Sequence, residues 1–345
     1  MSRFSQFLLS LNDSQALTEQ QSYDALISIF GGQAQDTEVV SFLRQLSEYG
    51  ETVDELVGFA RAMRDYCVPV PIQKPAMDVC GTGGSGKDRF NVSTAISFVL
   101  ASMGVPVAKH GNRGSHQPNG SFDFLESLGI PFELPTAFQV DMMDRFNLCF
   151  LFARQFHPAM KIVAPARKMI AGRTVFNLVG PLSNPARVRF QMIGAVSDEI
   201  GIKLARALQR LGLERAIVVV GGDGSDDVSA IAPSELYVVT STDIRMATLD
   251  PKTLGVQLTA EDLECGDAVD NAALFSLLIS KKDTQNPISQ WMCLSAAVAL
   301  MASGHTVTPE EGYARAKAEI ASGRPWDLVQ AYKTAAREWQ ESTAG

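Results

Sequence analysis

Asp78-Val-Cys-Gly-Thr-Gly-Gly-Ser-Gly-Lys-Asp-Arg-Phe-Asn-Val-Ser-Thr94 is the stretch of sequence that decides the fold. A short apolar strand, predicted over Met77–Cys80, leads into a glycine-rich loop. A helix with an apolar body follows and opens with Asn91, Ser93 and Thr94, one of which is expected to cap it. Such a loop and helix N-terminus present backbone N–H groups to an anion, because no side-chain bulk intervenes. The stretch therefore predicts an anion-binding loop in an α/β protein.

The alternation of strand and helix continues outward from this stretch. A second strand, Pro106–Ala108, ends in the basic cluster Lys109, His110 and Arg113. Four further strands are predicted at Cys149–Ala153, Phe190–Val196, Ala216–Val220 and Leu236–Thr240, and helices between strands at Ser121–Leu128, Phe138–Arg145 and Asp198–Leu211. Strands that alternate with helices are typical of α/β proteins with a mainly parallel central sheet flanked by helices.

Both ends of the chain predict helices. Near the N-terminus, apolar residues recur at helical spacing. Thr18 and Gln21 predict a capping box, and Asp36 or Thr37 is the expected cap of the next helix. Four helices are predicted in the tail, at Asp270–Leu278, Ile288–Ala302, Pro309–Ala321 and Pro325–Trp339.

A proline-rich linker, Val68–Pro75, divides the chain. We expect residues 1–72 to form a smaller all-helical domain and residues 73–345 to form the α/β domain. A helical insertion at about residues 157–184 interrupts the alternation of strands and helices.

Three interpretations of the glycine loop compete on sequence grounds. Gly81, Gly83 and Gly86 satisfy the G-x-G-x-x-G pattern of dinucleotide-binding proteins, although the helix begins too late for it. Gly81, Gly86 and Lys87 nearly satisfy the nucleotide-triphosphatase P-loop, but Asp88 stands where that loop needs Ser or Thr for magnesium. We therefore reject the P-loop. A tight glycine turn without a ligand remains open.

Composition argues against several classes of protein. The chain has 345 residues, of which 46% are hydrophobic, and a net charge of −8 with a pI of about 5.1. This acidic balance argues against nucleic acid or a membrane surface as partner. Met1–Leu11 lacks the features of a secretory signal, and no apolar run is long enough to cross a bilayer. The five cysteines are scattered, so we expect buried thiols in a reducing cytoplasm.

Several motifs, in this order, resemble those of the anthranilate phosphoribosyltransferase family over most of the chain. They are Gly81-Thr-Gly-Gly, Phe90-Asn-Val-Ser-Thr-Ala, Lys109-His-Gly-Asn-Arg, His157-Pro-Ala-Met-Lys, Arg173-Thr-Val-Phe-Asn, Gly180-Pro-Leu-Ser-Asn-Pro and Asp223-Gly-Ser-Asp-Asp. The resemblance implies phosphoribosyl transfer from phosphoribosyl diphosphate (PRPP) to anthranilate, with magnesium, in tryptophan biosynthesis. The products would be N-(5-phosphoribosyl)anthranilate and pyrophosphate. It also implies a cytoplasmic homodimer that associates through the helical domain.

The resemblance implies three sets of site residues and no assigned general base. The donor set is Gly81, Thr82, Gly83, Gly84, Asn91, Ser93, Thr94, Lys109 and Ser115. The acceptor set is His110, Asn112, His157, Arg167, Gly180 and Pro181. The magnesium set is Ser93, Asp226 and Asp227. Carboxylates after a predicted strand suit magnesium, and an arginine can pair bidentately with the carboxylate of anthranilate.

Each assignment has a simpler alternative. Asp226 and Asp227 could form a solvated acidic turn, His110 and His157 could be structural histidines, and Arg167 could be a surface arginine. The chain also departs from the family in having Ser85 where an aspartate is usual, and in its loop at residues 114–119. Two other functions therefore stay open. One is a related phosphoribosyltransferase or nucleoside phosphorylase with another aromatic acceptor, and the other is a catalytically silent relative that binds nucleic acid.

Overall fold

The computed structural model describes residues 3–12, 15–83, 89–114, 117–170 and 172–344. Within these ranges seven strands form one sheet, in the order β3-β2-β1-β4-β5-β6-β7. They are β1 (Met77–Gly81), β2 (Val107–Gly111), β3 (Leu148–Phe152), β4 (Phe190–Ala195), β5 (Arg215–Gly221), β6 (Ser234–Thr240) and β7 (Ile244–Leu249). The first five strands in this order are parallel, and β6 and β7 are antiparallel additions. The predicted mainly parallel sheet is confirmed.

The sequence predicts six of these strands and misses β7. This strand lies at the edge of the sheet and has four consecutive exposed residues, so it lacks the alternation that indicates a strand. The preceding strand, β6, runs antiparallel to β5, and no helix lies between the two. A parallel return would need a long crossover, which is usually helical. The connection from β5 to β6 instead carries Asp226 and Asp227.

Helices cover both faces of the sheet. In the described residues they are α1 (Arg3–Asn12), α2 (Glu19–Phe30), α3 (Asp36–Tyr49), α4 (Val53–Asp65), α5 (Val92–Ser102), α6 (Ser121–Ser127), α7 (Thr136–Phe146), α8 (Ala153–Phe156), α9 (Met160–Lys168), α10 (Phe176–Val179), α11 (Asp198–Arg210), α12 (Ala268–Lys281), α13 (Pro287–Ala302), α14 (Pro309–Ser322) and α15 (Arg324–Ala344). The helices predicted between strands and in the tail are confirmed, with ends that differ by a few residues. None of the described helices has the length and apolar character needed to span a membrane.

Two helix starts test the predicted caps. Thr18 and Gln21 form the predicted capping box at α2, with each side chain accepting from the backbone N–H of the other. The prediction for α3 is wrong, because Gln35 occupies the N-cap position and donates its backbone N–H to Glu38 Oε2 at 3.0 Å. Asp36 is the first residue of the helix, where its charge faces the positive end of the helix dipole.

Alternate residues of the central strands enter two different hydrophobic cores. Ile217 and Val219 of β5 belong to the core that α5 and the tail helices complete. Val218 and Val220 belong to the core that α11 shares with the N-terminal helices α1–α4. Because side chains alternate along a strand, this pattern indicates that the sheet is covered on both faces.

The parallel part of the sheet extends to both sides of β1. The chain adds β2 and β3 on one side of β1 and then returns to add β4 on the other side. Ligands of open α/β sheets bind at the carboxyl ends of strands where the order reverses in this way. Here Gly81 is the last residue of β1, and its partner in the sheet, Gly194, lies one residue before the end of β4.

The cysteines correct one sequence expectation. All five are free, and Cys149 and Cys293 are buried as predicted. Cys67, Cys80 and Cys265 are only partly buried, so the prediction is wrong for them. Each of the three lies near the end of an element or in a loop, and Cys80 and Cys265 pack at the margins of the two main cores.

Candidate active site

The glycine loop and the acidic loop meet at the reversal between β1 and β4. The backbone N–H of Thr82 donates to Gly194 O at 3.0 Å, and that of Gly83 donates to Asp226 Oδ2 at 2.7 Å. A Cβ atom on Gly81 would lie 2.4 Å from Asp226 Oδ2, and one on Gly194 would lie 1.6 Å from Asp226 O. The acidic loop therefore packs directly on two glycines. Gly81 is needed for this approach, because a side chain there would clash with Asp226.

The carboxyl groups of Asp226 and Asp227 lie in a part of the loop between β5 and β6 that is poorly exposed to solvent. Asp226 is 7% exposed. Desolvation raises the pKa of Asp227 well above its usual value, and the charge of Asp226 raises it further. Arg89 and Lys109 oppose this shift, and Arg89 Nη2 lies 3.7 Å from Asp223 Oδ2 in the same loop. The pair is therefore not a freely solvated acidic turn.

These carboxylates fit magnesium better than a metal held by protein ligands alone. Among the described residues, no group of three or more His, Cys, Asp or Glu side chains is placed to hold a metal ion. Magnesium in proteins commonly takes one or two carboxylates and completes its shell with water and substrate phosphate. The charge of Asp226 raises the pKa of Asp227, and a bound cation would relieve this repulsion, so the pair matches that chemistry.

The polar residues at the start of α5 do not act as the expected cap. Asn91 occupies the N-cap position, but its side chain makes no capping bond and instead donates to Asn119 O at 3.0 Å. Within the described structure, the buried hydroxyls of Thr82 and Thr94 have no hydrogen-bond partner. Ser93 Oγ lies 3.4 Å from Lys109 Nζ. The expectation of a side-chain cap is wrong, and within the described residues the hydroxyls of Thr82 and Thr94 keep unused hydrogen-bonding capacity.

Lys109 lies under the loop and not on its surface. The residue is 1% exposed, and its Nζ donates to Val79 O at 2.6 Å. Its charge lowers the pKa values of Asp78 and Asp227 against the effect of burial. Lys109 therefore balances the buried acids from below. Of the other predicted donor residues, Gly84 and Ser115 lie outside the described residues.

His110 and His157 form a buried pair on the predicted acceptor side. They are 6% and 4% exposed, and their ring centroids are 5.0 Å apart. Burial lowers the pKa of His157 to about 4 and that of His110 well below its usual value, with His157 and Lys109 lowering the latter further. In the described structure, Nε2 of each ring has no hydrogen-bond partner. The two rings are therefore neutral at pH 7 and have unused nitrogens.

The segment after α10 is joined to these histidines. The backbone of Gly180 is hydrogen-bonded to His110, and the backbone of Ser183 to His157. Pro181 lies between them in the chain, and its carbonyl accepts from Gln191 Nε2 at 2.7 Å. The structure thus brings together four of the six predicted acceptor residues.

Arg167 and Asn112 make separate contacts. The guanidinium of Arg167, on α9, lies 5.4 Å from the centroid of the Phe176 ring, and burial lowers its pKa. No acidic partner is seen for it in the described part of the chain. An arginine stacked on an aromatic ring and left without a counter-ion can accept a carboxylate. Asn112 is exposed, and its Oδ1 accepts from Arg113 N at 2.9 Å.

Comparison with known proteins identifies the family. Models of the glycosyl transferase family match residues 5–67 as its helical bundle domain and residues 73–325 as its a/b domain. Anthranilate phosphoribosyltransferase from Geobacillus kaustophilus is 40% identical over 326 residues, which cover 94% of this chain and 96% of that protein. The chain belongs to the anthranilate phosphoribosyltransferase family. The enzyme of that name from Solibacter usitatus is also 40% identical, over 94% of this chain and 96% of the relative.

Solved anthranilate phosphoribosyltransferases have the same fold. The crystal structure of the enzyme from Thermus thermophilus matches with a TM-score of 0.90 and 35% identity, covering 98% of this chain and 100% of that one. The Saccharomyces cerevisiae enzyme in complex with PRPP and Mg matches with a TM-score of 0.89 and 24% identity, covering 97% and 98%. The second likeness concerns the fold alone. Both support the α/β architecture with a helical N-terminal part.

The structure adds polar residues that the family motifs did not lead us to assign. Asp78 is fully buried, and its Oδ1 accepts the backbone N–H of His110 at 3.1 Å. Burial raises its pKa to about 6. Asp78 lies in the strand that leads into the glycine loop. In the sequence, the only sign of its role is an acidic residue between the apolar residues of that strand. Asn271, on α12, had no comparable signal in the sequence.

The loop after β2 is tied down from one side in this member of the anthranilate phosphoribosyltransferase family. Asp123 Oδ2 accepts backbone N–H groups from Gly114 and Gly120, both at 2.8 Å. Arg113 pairs with Asp123 at 2.9 Å and Glu126 at 2.8 Å, so its charge is already neutralised. Within the predicted basic cluster, Arg113 therefore stabilises the loop through these ion pairs and is not available to bind an anion.

Proposed function

We propose that this chain transfers the phosphoribosyl group of PRPP to anthranilate, yielding N-(5-phosphoribosyl)anthranilate and pyrophosphate in tryptophan biosynthesis. The observation that carries the proposal is the hydrogen bond from Gly83 N–H to Asp226, which joins the glycine loop to the acidic pair at the strand reversal. The 40% identity to enzymes of this name supports the same reaction.

On the donor side, the glycine loop and the start of α5 would hold the phosphates of PRPP. The unpartnered hydroxyls of Thr82 and Thr94, seen within the described residues, support this assignment. Asp226 and Asp227, with Ser93, would hold magnesium, which neutralises charge on the departing pyrophosphate when it is bound. Lys109 balances the acids from beneath the loop.

On the acceptor side, the neutral imidazole rings of His110 and His157 and the charged guanidinium of Arg167 would contact anthranilate. Phosphoribosyl transfer passes through a transition state with oxocarbenium character, so positioning and electrostatics contribute more than a single nucleophile. Arg167 would bind the anthranilate carboxylate while its guanidinium stays on Phe176. Gly180, Pro181 and Asn112 complete the proposed acceptor site. No residue is proposed as a general base.

The experiment follows the fluorescence of anthranilate with the purified full chain. Loss of fluorescence that requires both PRPP and magnesium is the expected result. No loss with folded protein would contradict transfer to anthranilate, and a screen of other aromatic acceptors would then test the related transferase activity. A mobility-shift assay across salt concentrations tests nucleic-acid binding separately.

We also propose how the chain is organised and assembled. Residues 1–72, with an insertion at about 157–184, would form the helical domain, and residues 73–345 the α/β domain. A cytoplasmic homodimer would associate through the helical domain. Exposed apolar side chains on α1, on α9 and just after α9 support this, since Leu9, Ile162 and Met169 are 45%, 44% and 58% exposed. Light scattering after gel filtration would give the mass, and a Met169→Lys variant of monomeric mass would support this surface.

A further inference from the structure

We infer that Asn271, on the tail helix α12, is a positioning residue that sets the shape of the donor pocket; this rests on the proposed function. Asn271 is fully buried, although it is an amide on a helix far along the chain from the glycine loop. A buried amide must find partners, because an unsatisfied one is costly to the folded state. The partners of Asn271 all belong to the donor side.

One amide group connects three separate segments. Asn271 Nδ2 donates to Arg89 O at 3.0 Å, and it lies 3.1 Å from Asn91 Oδ1 and 3.2 Å from Asn119 Oδ1. Arg89 is the first described residue after the glycine loop, and Asn91 opens α5. Asn119 ends the loop that follows β2. Asn271 therefore holds the return of the glycine loop, the helix start and the second loop in one arrangement.

The three asparagines reinforce each other. Asn119 Nδ2 also donates to Arg89 O at 3.0 Å, and Asn91 Nδ2 donates to Asn119 O at 3.0 Å. The side chain of Arg89 extends the connection to Asp223 in the acidic loop, at 3.7 Å. A change at Asn271 is therefore transmitted to the glycine loop and toward the magnesium side, while the histidine pair has no part in this network of contacts.

Simple packing does not explain this arrangement. In the described structure the Oδ1 atom of Asn271 is buried without a hydrogen-bond partner, so the residue is incompletely satisfied. An apolar residue of similar size would avoid that cost but could not donate to the three oxygens. The geometry thus favours precise placement of the loops over stability. In enzyme active sites, a displacement of about 1 Å can cost roughly a hundredfold in rate.

The test compares Asn271→Ala and Asn271→Asp with the parent chain. Aspartate keeps the shape of asparagine but presents only acceptors to three oxygens, so it should disturb the cluster without leaving a cavity. We expect both variants to raise the Kd and the KM for PRPP about tenfold, measured by calorimetric titration with magnesium and by steady-state kinetics. The KM for anthranilate at saturating PRPP should not change. Asn271→Ser replaces Asn271→Ala if the latter does not fold.

Gln139→Ala is the matched control. Gln139 is also a buried amide, and it joins Leu134 O at 3.5 Å to the Phe150 N–H at 3.2 Å on another part of the sheet. Its loss should lower the Tm and leave the Kd for PRPP unchanged. An Asn271→Asp chain with parental Kd, or an equal loss in the Gln139 control, overturns the inference alone. A parent chain that does not bind PRPP overturns the proposed function and this inference with it.

Discussion

Asn184 donates a hydrogen bond of 2.8 Å from its Nδ2 to the buried carboxylate of Asp78. The same amide donates to Ala108 O at 2.8 Å, and the other oxygen of Asp78 accepts the backbone N–H of His110 at 3.1 Å. A buried acid therefore joins the strand that carries His110 to the segment that follows Gly180. The relative position of these two parts of the proposed acceptor site depends on Asp78 and Asn184.

Replacing Asn184 with alanine is expected to weaken anthranilate use and to destabilise the fold. The change leaves a buried carboxylate oxygen and a buried carbonyl without this donor, at about 1–3 kcal/mol for each unsatisfied group. The KM for anthranilate should rise several-fold and the Tm should fall, while the KM for PRPP serves as the internal reference. A lower Tm with both KM values unchanged would show that the contact is purely structural.

Arg167→Ala should lower kcat/KM for anthranilate by roughly ten- to a hundredfold. A charge-assisted hydrogen bond contributes about 1.5–3 kcal/mol, and about 1.4 kcal/mol corresponds to tenfold. The Kd for PRPP should barely change. The variant should also lose its preference for anthranilate over aniline, which has no carboxylate. The neighbouring Lys168→Ala, on the exposed side of α9, is the control; equal losses for both acceptors would indicate a structural role for Arg167.

Gly83→Val should abolish PRPP binding at a modest cost in stability. Gly83 has φ +70°, and Gly104, just after the end of α5, has φ +86°; no described atom lies within 4 Å of a Cβ built on either. A side chain in this left-handed region costs about 1–2 kcal/mol at each position. Gly104→Val should therefore lower the Tm similarly but keep PRPP affinity. Parental affinity in a folded Gly83→Val chain would remove this loop from the donor site.

Asp226→Asn and Asp227→Asn should each raise the magnesium concentration needed for half-maximal rate, by about tenfold, or about 1.4 kcal/mol. The Asp226 change should also disturb the glycine loop, since Asp226 accepts the Gly83 N–H at 2.7 Å. Asp250→Asn is the control, because the side chain of this acid accepts a backbone N–H in a turn. Titration of the initial rate with magnesium provides the measurement. If both variants needed the same magnesium concentration as the parent, the two aspartates would have only a structural role in their loop.

Stability should fall below about pH 6.5 partly because of His157. Its pKa is lowered to about 4 in the folded chain, so between pH 6.5 and 4 the unfolded chain takes up a proton that the folded chain does not. His157→Gln should therefore flatten the fall of Tm over this range. Asp78 acts in the opposite direction in both proteins, since its pKa is raised to about 6. A variant with the same slope as the parent would contradict a neutral buried His157.

Local sequence patterns predicted most of the helices and strands, but they missed the edge strand β7. The five parallel strands and the tail helices follow from runs of apolar residues, turn residues and helical spacing. The strand β7 has four consecutive exposed residues, and only its pairing with β6 makes it a strand. The N-cap of α3 was missed because Gln35 gains its role from Glu38, one turn away.

In the candidate site, too, some features could be predicted from the sequence and others only from the structure. Family motifs located the glycine loop, the acidic pair and both histidines, because each motif is a short run of neighbouring residues. They did not show that the acidic loop packs on Gly194, or that Lys109 lies beneath the donor loop.

By itself the sequence determined the fold class and most of the order of strands and helices along the chain. Its motifs also predicted residues for binding a phosphate, a cation and an aromatic acid, and that assignment stays a prediction. Tertiary structure alone decided which of these meet. The contacts of Asp78 with Asn184, and of Asn271 with Arg89, join residues far apart in the chain. Such contacts depend on strand order and helix packing, and the cost of burying a polar group without partners then selects the side chains that meet there.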